Sequence, residues 1–414
     1  MQKRWVKLDN AAKIFPAAAR GSNTQVFRIS CELKSSIDPA LLQQALYKTA
    51  AGFPAYQFIM RRGLFWYYLE STTLLPEVHR ENKPPCSPIY SKSVKSLLYE
   101  VSYYNCRINL EVFHVLSDGT GGMFFLTTLV AKYLALVNGQ PEPPLHIDAS
   151  HTQMLDDSFS KYYAKNSSVK MKQRPDACRL RGLKHPENRI KLVLGLIPLD
   201  KLRAAAADRD ASITQLLCAC LMRAICATLP AQAKKKPVTI SVPVNLRNHF
   251  PSVSLRNFFG VLYTSYDFST GAGETEEIIR KIKEDFEDGL TPERLAGSIN
   301  AYGAMEHNWL ARIVPLQMKN LIMGFAYRLS RRKVTAALSN VGAVTLPDGG
   351  EDVASFQVCA GSDALQASIC SFKNELSIGI TSPFVSTDVA RQFFRTLTEM
   401  GIPVTLSANT IDGD

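Results

Sequence analysis

The chain has 414 residues, 46% of them hydrophobic and 21% charged. That is the make-up of an ordinary globular protein with room for two or three domains, and it excludes disorder on a large scale. The net charge of +11 suits an anionic partner. However, the basic residues are dispersed, without zinc-finger spacing, an RNP-like motif or a long basic arm, so no nucleic-acid partner is expected.

In chain order, Thr24 to Leu33 has strand density. Asp38-Pro39 then opens a helix, with Asp38 as N-cap and Pro39 at its first position. Arg61-Arg62-Gly63 reads as a hairpin turn between Ala55–Met60 and Leu64–Leu69. Leu97–Tyr104 and Arg107–Val115 form a second strand pair around Asn105-Cys106. Gly119 to Asn138 is an apolar helix, stopped at Asn138-Gly139. A proline-containing, polar stretch follows, and Ile190–Pro198 starts a second α/β unit. Its helices are placed at Thr214–Leu229, capped by Ser212 or Thr214, then at Glu274–Asp288 and Trp309–Arg331. Its strands are placed at Val238–Val244, Leu262–Phe268, Val334–Leu338, Ser355–Ala360, Ala367–Phe372 and Leu376–Ile380, before a last helix near Thr387-Asp388. The domains are thus 1–150, a crossover linker over 151–189, and 190–414.

The nine cysteines lack C-x-x-C spacing, and Cys218, Cys220 and Cys226 sit in an apolar helical run. They read as reduced thiols, with no metal site, in a cytoplasmic protein. The N-terminus has no signal-peptide pattern, and no stretch is expected to span a bilayer.

The segment that carries chemistry is Phe113-His114-Val115-Leu116-Ser117-Asp118-Gly119-Thr120-Gly121-Gly122. Ile108, Leu110, Val112 and His114 share one strand parity, so His114 is expected on the face those apolar residues bury. It ends a strand beside a helix N-terminus, where fixed groups can hold a tautomer for general-base work. Gly119, Gly121 and Gly122 either let backbone approach a ligand or make a flexible helix entry.

This segment resembles the H-x-x-x-D-G motif of the chloramphenicol-acetyltransferase-like superfamily, which also holds alcohol acetyltransferases, wax ester synthases and condensation domains. Phe113 stands where many members have a first histidine. Further resemblance lies in Ala211-Ser212-Ile213-Thr214, Ser241 to Arg247, Leu255 to Gly260, and Leu338-Ser339-Asn340-Val341-Gly342. The order of these pieces is most like the bacterial alcohol-acetyltransferase branch. The early Leu-Arg pair of condensation domains is missing from Phe53 to Phe58, which argues against that variant.

The resemblance implies an α/β fold of two such lobes, each a mixed sheet flanked by helices, with a tunnel between them. It implies acyl transfer from acyl-CoA, a cosubstrate rather than a tightly bound cofactor, to an alcohol or amine. His114 would be the base. Asp118 would fix the turn by a salt bridge, to Arg247 first and Arg256 second. Ser339 is the candidate oxyanion donor, with Thr214 the runner-up; Gly119, Asn257 and Asn340 would support the site. A non-catalytic or carrier-protein-dependent relative, or a long-chain wax ester or diacylglycerol acyltransferase, is the alternative. A monomer is expected. The cations Arg328, Arg331, Arg332 and Lys333 either complement a helix C-terminus or meet a CoA phosphate or an anionic membrane.

Overall fold

Short local signals start the main helices. Asp38 accepts from the Ala40 and Leu41 amides ahead of Pro39–Gly52, and Asp118 accepts from the Gly121 amide ahead of Gly119–Val137. Ser212 and Gln215 form a reciprocal capping box at Ile213–Thr228; Thr214 lies inside that helix. Each device satisfies amides that have no partner within the helix. The computed structural model describes residues 4–144, 149–164, 173–307, 313–346 and 350–411.

The strands are β1 (Trp5–Lys7), β2 (Val26–Leu33), β3 (Phe58–Arg62), β4 (Tyr67–Ser71), β5 (Val78–Arg80), β6 (Tyr99–Tyr104), β7 (Arg107–Phe113), β8 (Lys191–Pro198), β9 (Val238–Asn245), β10 (Phe259–Tyr266), β11 (Ala336–Val344), β12 (Val353–Ala360), β13 (Gln366–Phe372), β14 (Glu375–Ser382) and β15 (Thr405–Ala408). Among the described residues they form three sheets. One has order β12-β2-β7-β6-β5, one has β10-β9-β11-β13-β14-β8-β15, and a small one has β1-β4-β3.

The first lobe is not built from the first part of the chain alone. β12 lies far along the sequence yet pairs antiparallel with β2, Val358 opposite Ile29. Its residues Val353, Phe356 and Val358 enter the same core as Ile29, Leu110 and Phe125. The second core gathers Leu217, Ile240, Leu338, Ile378 and Phe393. A third, smaller cluster of Ala11, Phe159, Leu246, Phe258, Leu295 and Ile299 ties the N-terminus and the crossover to the second lobe.

Several elements differ from expectation. The helix Pro292–His307 differs from the sequence reading: its two glycines dilute the apolar pattern, and Leu295 and Ile299 join the third cluster. Trp309 lies outside the described residues, and the helix placed there runs Leu316–Arg331. β10 starts at Phe259 and β11 reaches Val344. Residues 145–148, and 165–172 of the crossover, also lie outside the described residues; the described part of the crossover holds short helices His151–Met154 and Ser158–Lys161. The 19-residue helix Gly119–Val137 is long and apolar enough to cross a membrane, contrary to the sequence reading, but most of it is buried in this fold.

Both faces of β7 are buried, where alternation had suggested one. The second face carries a polar lattice. Arg28 Nε reaches Glu111 at 3.1 Å, Glu81 bonds Arg28 and Arg107, and Ser30 donates to Asn109 Oδ1 at 2.8 Å. Buried charges persist when paired in this way.

Candidate active site

His114 follows the last residue of β7. Its main-chain amide donates to the Gln25 carbonyl at 2.8 Å, which fixes the backbone beside β2. The ring lies against Phe15 (centroids 4.7 Å apart), Phe27 (5.2 Å) and Phe259 (5.6 Å). Phe27 is the cross-strand partner of Val112, so His114 does share the face of that apolar parity. The ring is nevertheless partly exposed.

Asn257 sets the chemistry of the imidazole. Its side-chain Nδ2 donates to the His114 main-chain carbonyl at 2.9 Å and toward Asp9 Oδ2 at 3.2 Å. Two acceptors on one side fix the orientation of the amide, because reversing it would set oxygen against oxygen. Its Oδ1 therefore faces His114 Nδ1, 2.9 Å away. An acceptor at that point requires the proton on Nδ1. The lone pair is then on Nε2. Burial pulls the imidazole pKa below its ordinary value, and the Asp118 carboxylate opposes that pull only in part. The ring is thus held neutral, in one tautomer, ready to accept a proton.

Asp118 holds the turn behind it. Its Oδ1 caps Gly121 at 3.1 Å, and its Oδ2 accepts from Arg247 Nη1 at 2.7 Å and from the Phe258 amide at 2.9 Å. Arg247 also donates to the carbonyls of Ser254 and Arg256. Ser117 Oγ donates to the Leu255 carbonyl at 2.6 Å. The 254–258 loop of the second lobe therefore clamps the histidine turn of the first. Arg256, the second candidate for Asp118, is directed elsewhere. It donates to the Lys7 and Leu155 carbonyls and sits 3.6 Å from Asp9.

Asp9 had no sequence signal. It lies in an N-terminal stretch whose pattern suggested nothing, yet it is fully buried and accepts from the Ala12 amide at 2.7 Å. Burial raises its pKa to about 6, against the pull of Arg256.

The glycines are required by packing. A Cβ on Gly121 would lie 2.2 Å from Ser117 Oγ and 2.4 Å from the Leu255 carbonyl; one on Gly122 would lie 2.8 Å from the Phe27 ring. Gly119 is different: its nearest neighbour would be Val341 at 3.4 Å. That contact brings β11 up to the helix N-terminus. On β11, Ser339 pairs with Ser368. Asn340 Nδ2 donates to Thr214 Oγ1 at 3.0 Å, and its Oδ1 accepts from the Gly342 amide at 2.9 Å. Among the described residues neither Ser339 nor Thr214 is hydrogen-bonded to His114. Asn245 Nδ2 reaches Thr120 Oγ1 at 3.4 Å, a further link between the lobes.

All nine thiols are free. Among the described residues no group of three or more His, Cys, Asp or Glu side chains could hold a metal ion.

No family model matches the chain, and no curated protein matches it in sequence. Solved structures do match its fold. The first condensation domain of the CDA synthetase covers 96% of this chain and 96% of its own length, at TM-score 0.61 and 14% identity. TRI3 trichothecene 15-O-acetyltransferase from Fusarium sporotrichioides covers 96% and 94%, at 0.62 and 10%. F. sporotrichioides TRI101, solved with coenzyme A and T-2, covers 97% and 99%, at 0.61 and 12%. At such identities the likeness is one of fold.

Proposed function

We propose that this chain, which has the two-lobed fold shared by condensation domains and acetyltransferases, transfers an acyl group from a thioester to an acceptor hydroxyl, with His114 as general base. The observation that carries this reading is the Asn257 contact, which leaves Nε2 as the one basic atom of a partly exposed imidazole.

An alcohol is a poor nucleophile at neutral pH, so a positioned base matters. His114 Nε2 takes the hydroxyl proton as the oxygen bonds to the thioester carbonyl carbon. The tetrahedral intermediate then collapses, the C–S bond breaks, and the departing thiolate takes the proton from the imidazolium. No acyl-enzyme is needed when both substrates are held together between the lobes. The developing oxyanion needs a donor, and Ser339 is the candidate, carried on the strand that meets the helix N-terminus. Asp118 and Arg247 act by holding the turn.

Acyl-CoA is the proposed donor: a phosphorylated cosubstrate suits the net charge of +11, and TRI101 was solved with coenzyme A. A carrier-protein thioester is the second reading, favoured by the likeness to a condensation domain. The unpaired thiols fit a reducing compartment such as the cytoplasm.

The test is thiol release from acetyl-CoA against a panel of alcohols, comparing the wild type with His114→Ala. Loss of turnover by about 10²–10⁴-fold with retained cooperative folding is expected. Unchanged turnover would reject His114 as the base.

A further inference from the structure

The helix Leu316–Arg331 presents its apolar residues to solvent. A surface helix normally buries its apolar stripe and exposes its polar one. Here the inward side buries Leu316, Lys319 and Met323. Its partly buried polar groups bond inward: Asn320 Nδ2 donates to the Tyr67 hydroxyl, and the Tyr327 hydroxyl accepts from Asn23. The outward side carries Met318, Leu321, Ile322, Phe325 and Leu329. Their spacing of three and four residues makes a single stripe, and Leu321 is 74% and Phe325 67% exposed.

Neighbouring elements extend this face. The turn between β3 and β4 abuts the helix start: the Leu316 amide donates to the Leu64 carbonyl, and Lys319 Nζ donates to the Phe65 carbonyl. Leu64 and Phe65 are exposed, as is Trp5 on β1. Trp5 and Trp66 line one apolar cavity of about 620 Å³. Two of the three tryptophans in the chain therefore lie on this side, and Lys319 stands over the Trp66 ring at 3.5 Å.

The charge on the helix segment itself has one sign, although Arg331 is paired with Asp363 of a neighbouring loop. Residues 313–333 hold five Lys and Arg and no Asp or Glu. Arg328 and Arg332 are exposed and stand one turn beyond Phe325 and Leu329, so the apolar stripe ends in cations.

We propose that this face docks onto an anionic phospholipid surface, with the helix lying in the interfacial plane. An exposed apolar stripe, basic residues at its end and tryptophans beside it are the features that bind a bilayer surface without spanning it. A second copy of this chain would bring two helices of net positive charge together, which disfavours a dimer through this face. The inference does not depend on the acyl-transfer reading. It does place the membrane close to the candidate site: the helix packs against Phe15–Ala18, and the Phe15 ring contacts His114.

The test is flotation of the full chain with vesicles, which reads binding without turnover. The wild type is expected to float with phosphatidylcholine vesicles containing phosphatidylglycerol and to stay behind with phosphatidylcholine alone. Salt should weaken the binding. Arg328→Gln with Arg332→Gln should weaken partitioning roughly 30-fold. Leu321→Ser, Ile322→Ser and Phe325→Ser together should abolish flotation at an unchanged melting temperature. If that triple variant melts early, the arginine pair and the salt titration carry the test. A wild type that ignores anionic vesicles would overturn the proposal, and so would variants that float as the wild type does. A dimer that the triple variant dissociates, without vesicle binding, would assign the face to a second copy and overturn it equally.

Discussion

Asn257 holds His114 at two points, its Oδ1 2.9 Å from the ring Nδ1 and its Nδ2 2.9 Å from the main-chain carbonyl of the same residue. The ring and the backbone that carries it are thus aimed by one side chain from the opposite lobe. Asn257→Ala should lower kcat by roughly 10- to 100-fold, a share of what a positioned base supplies, with little change in KM. Asn257→Asp should move the acidic limb of the pH profile upward, because a carboxylate beside Nδ1 favours the imidazolium. Steady-state kinetics across pH check both, and a purely structural residue would not shift the limb.

Desolvation at the partly exposed imidazole lowers its pKa from the ordinary value. Activity should therefore be full at neutral pH and fall as pH drops through a value under about 6.5. Stability follows the same sign. A depressed pKa contributes stability that is present above the unfolded value and is lost as pH falls through the folded one. Asp9 acts oppositely: with its pKa raised to about 6, its contribution is full below the ordinary carboxyl range and is lost as pH rises through about 6. The melting temperature of the wild type minus that of His114→Ala isolates the histidine, and this difference should rise with pH up to about 6.5.

The Asp118–Arg247 pair is buried and hydrogen-bonded at both ends. Removing one partner leaves the other uncompensated, so Asp118→Ala or Arg247→Ala should cost about 3–5 kcal/mol in chemical denaturation. Arg247→Lys should not rescue, since an ammonium group cannot reproduce the fork that reaches Asp118, Ser254 and Arg256 together.

Gly121→Ala would drive a methyl group into Ser117 Oγ and the Leu255 carbonyl, whereas Gly119→Ala meets Val341 at ordinary contact distance. The first should destabilise by about 1–3 kcal/mol and loosen the clamp on Asp118. The second should fold as the wild type does. Thermal melts of the two variants side by side decide this.

Much of the candidate site was legible because its signals are local. The strand parity ending at His114, the turn at Asp118-Gly119 and the Ser212 cap each need only a few adjacent residues. The partners of those residues come from far along the chain and leave no periodic trace. Asp9 is a lone carboxyl in an irregular stretch, and only its burial against Asn257 and Arg256 shows what it does. Resemblance ranks Arg247 ahead of Arg256 as the partner of Asp118, but only the loop geometry shows that the first reaches Asp118 and the second Asp9. The pattern of β12 marks a strand but not which sheet receives it. The alternation of β7 suggested a solvated side, and ionic pairing buried that side as well.

The pairing of β12 with β2 sets the order in which the molecule can be completed during synthesis. Until residue 360 has left the ribosome, one edge of the first sheet has no neighbour, and its backbone amides and carbonyls can recruit a strand from another chain. A fragment ending at residue 150 should therefore accumulate as aggregate, and adding a peptide of residues 350–362 in trans should recover soluble material. The nascent chain waits on its own distant segment, so folding of the first lobe is a late event even though its residues are made first.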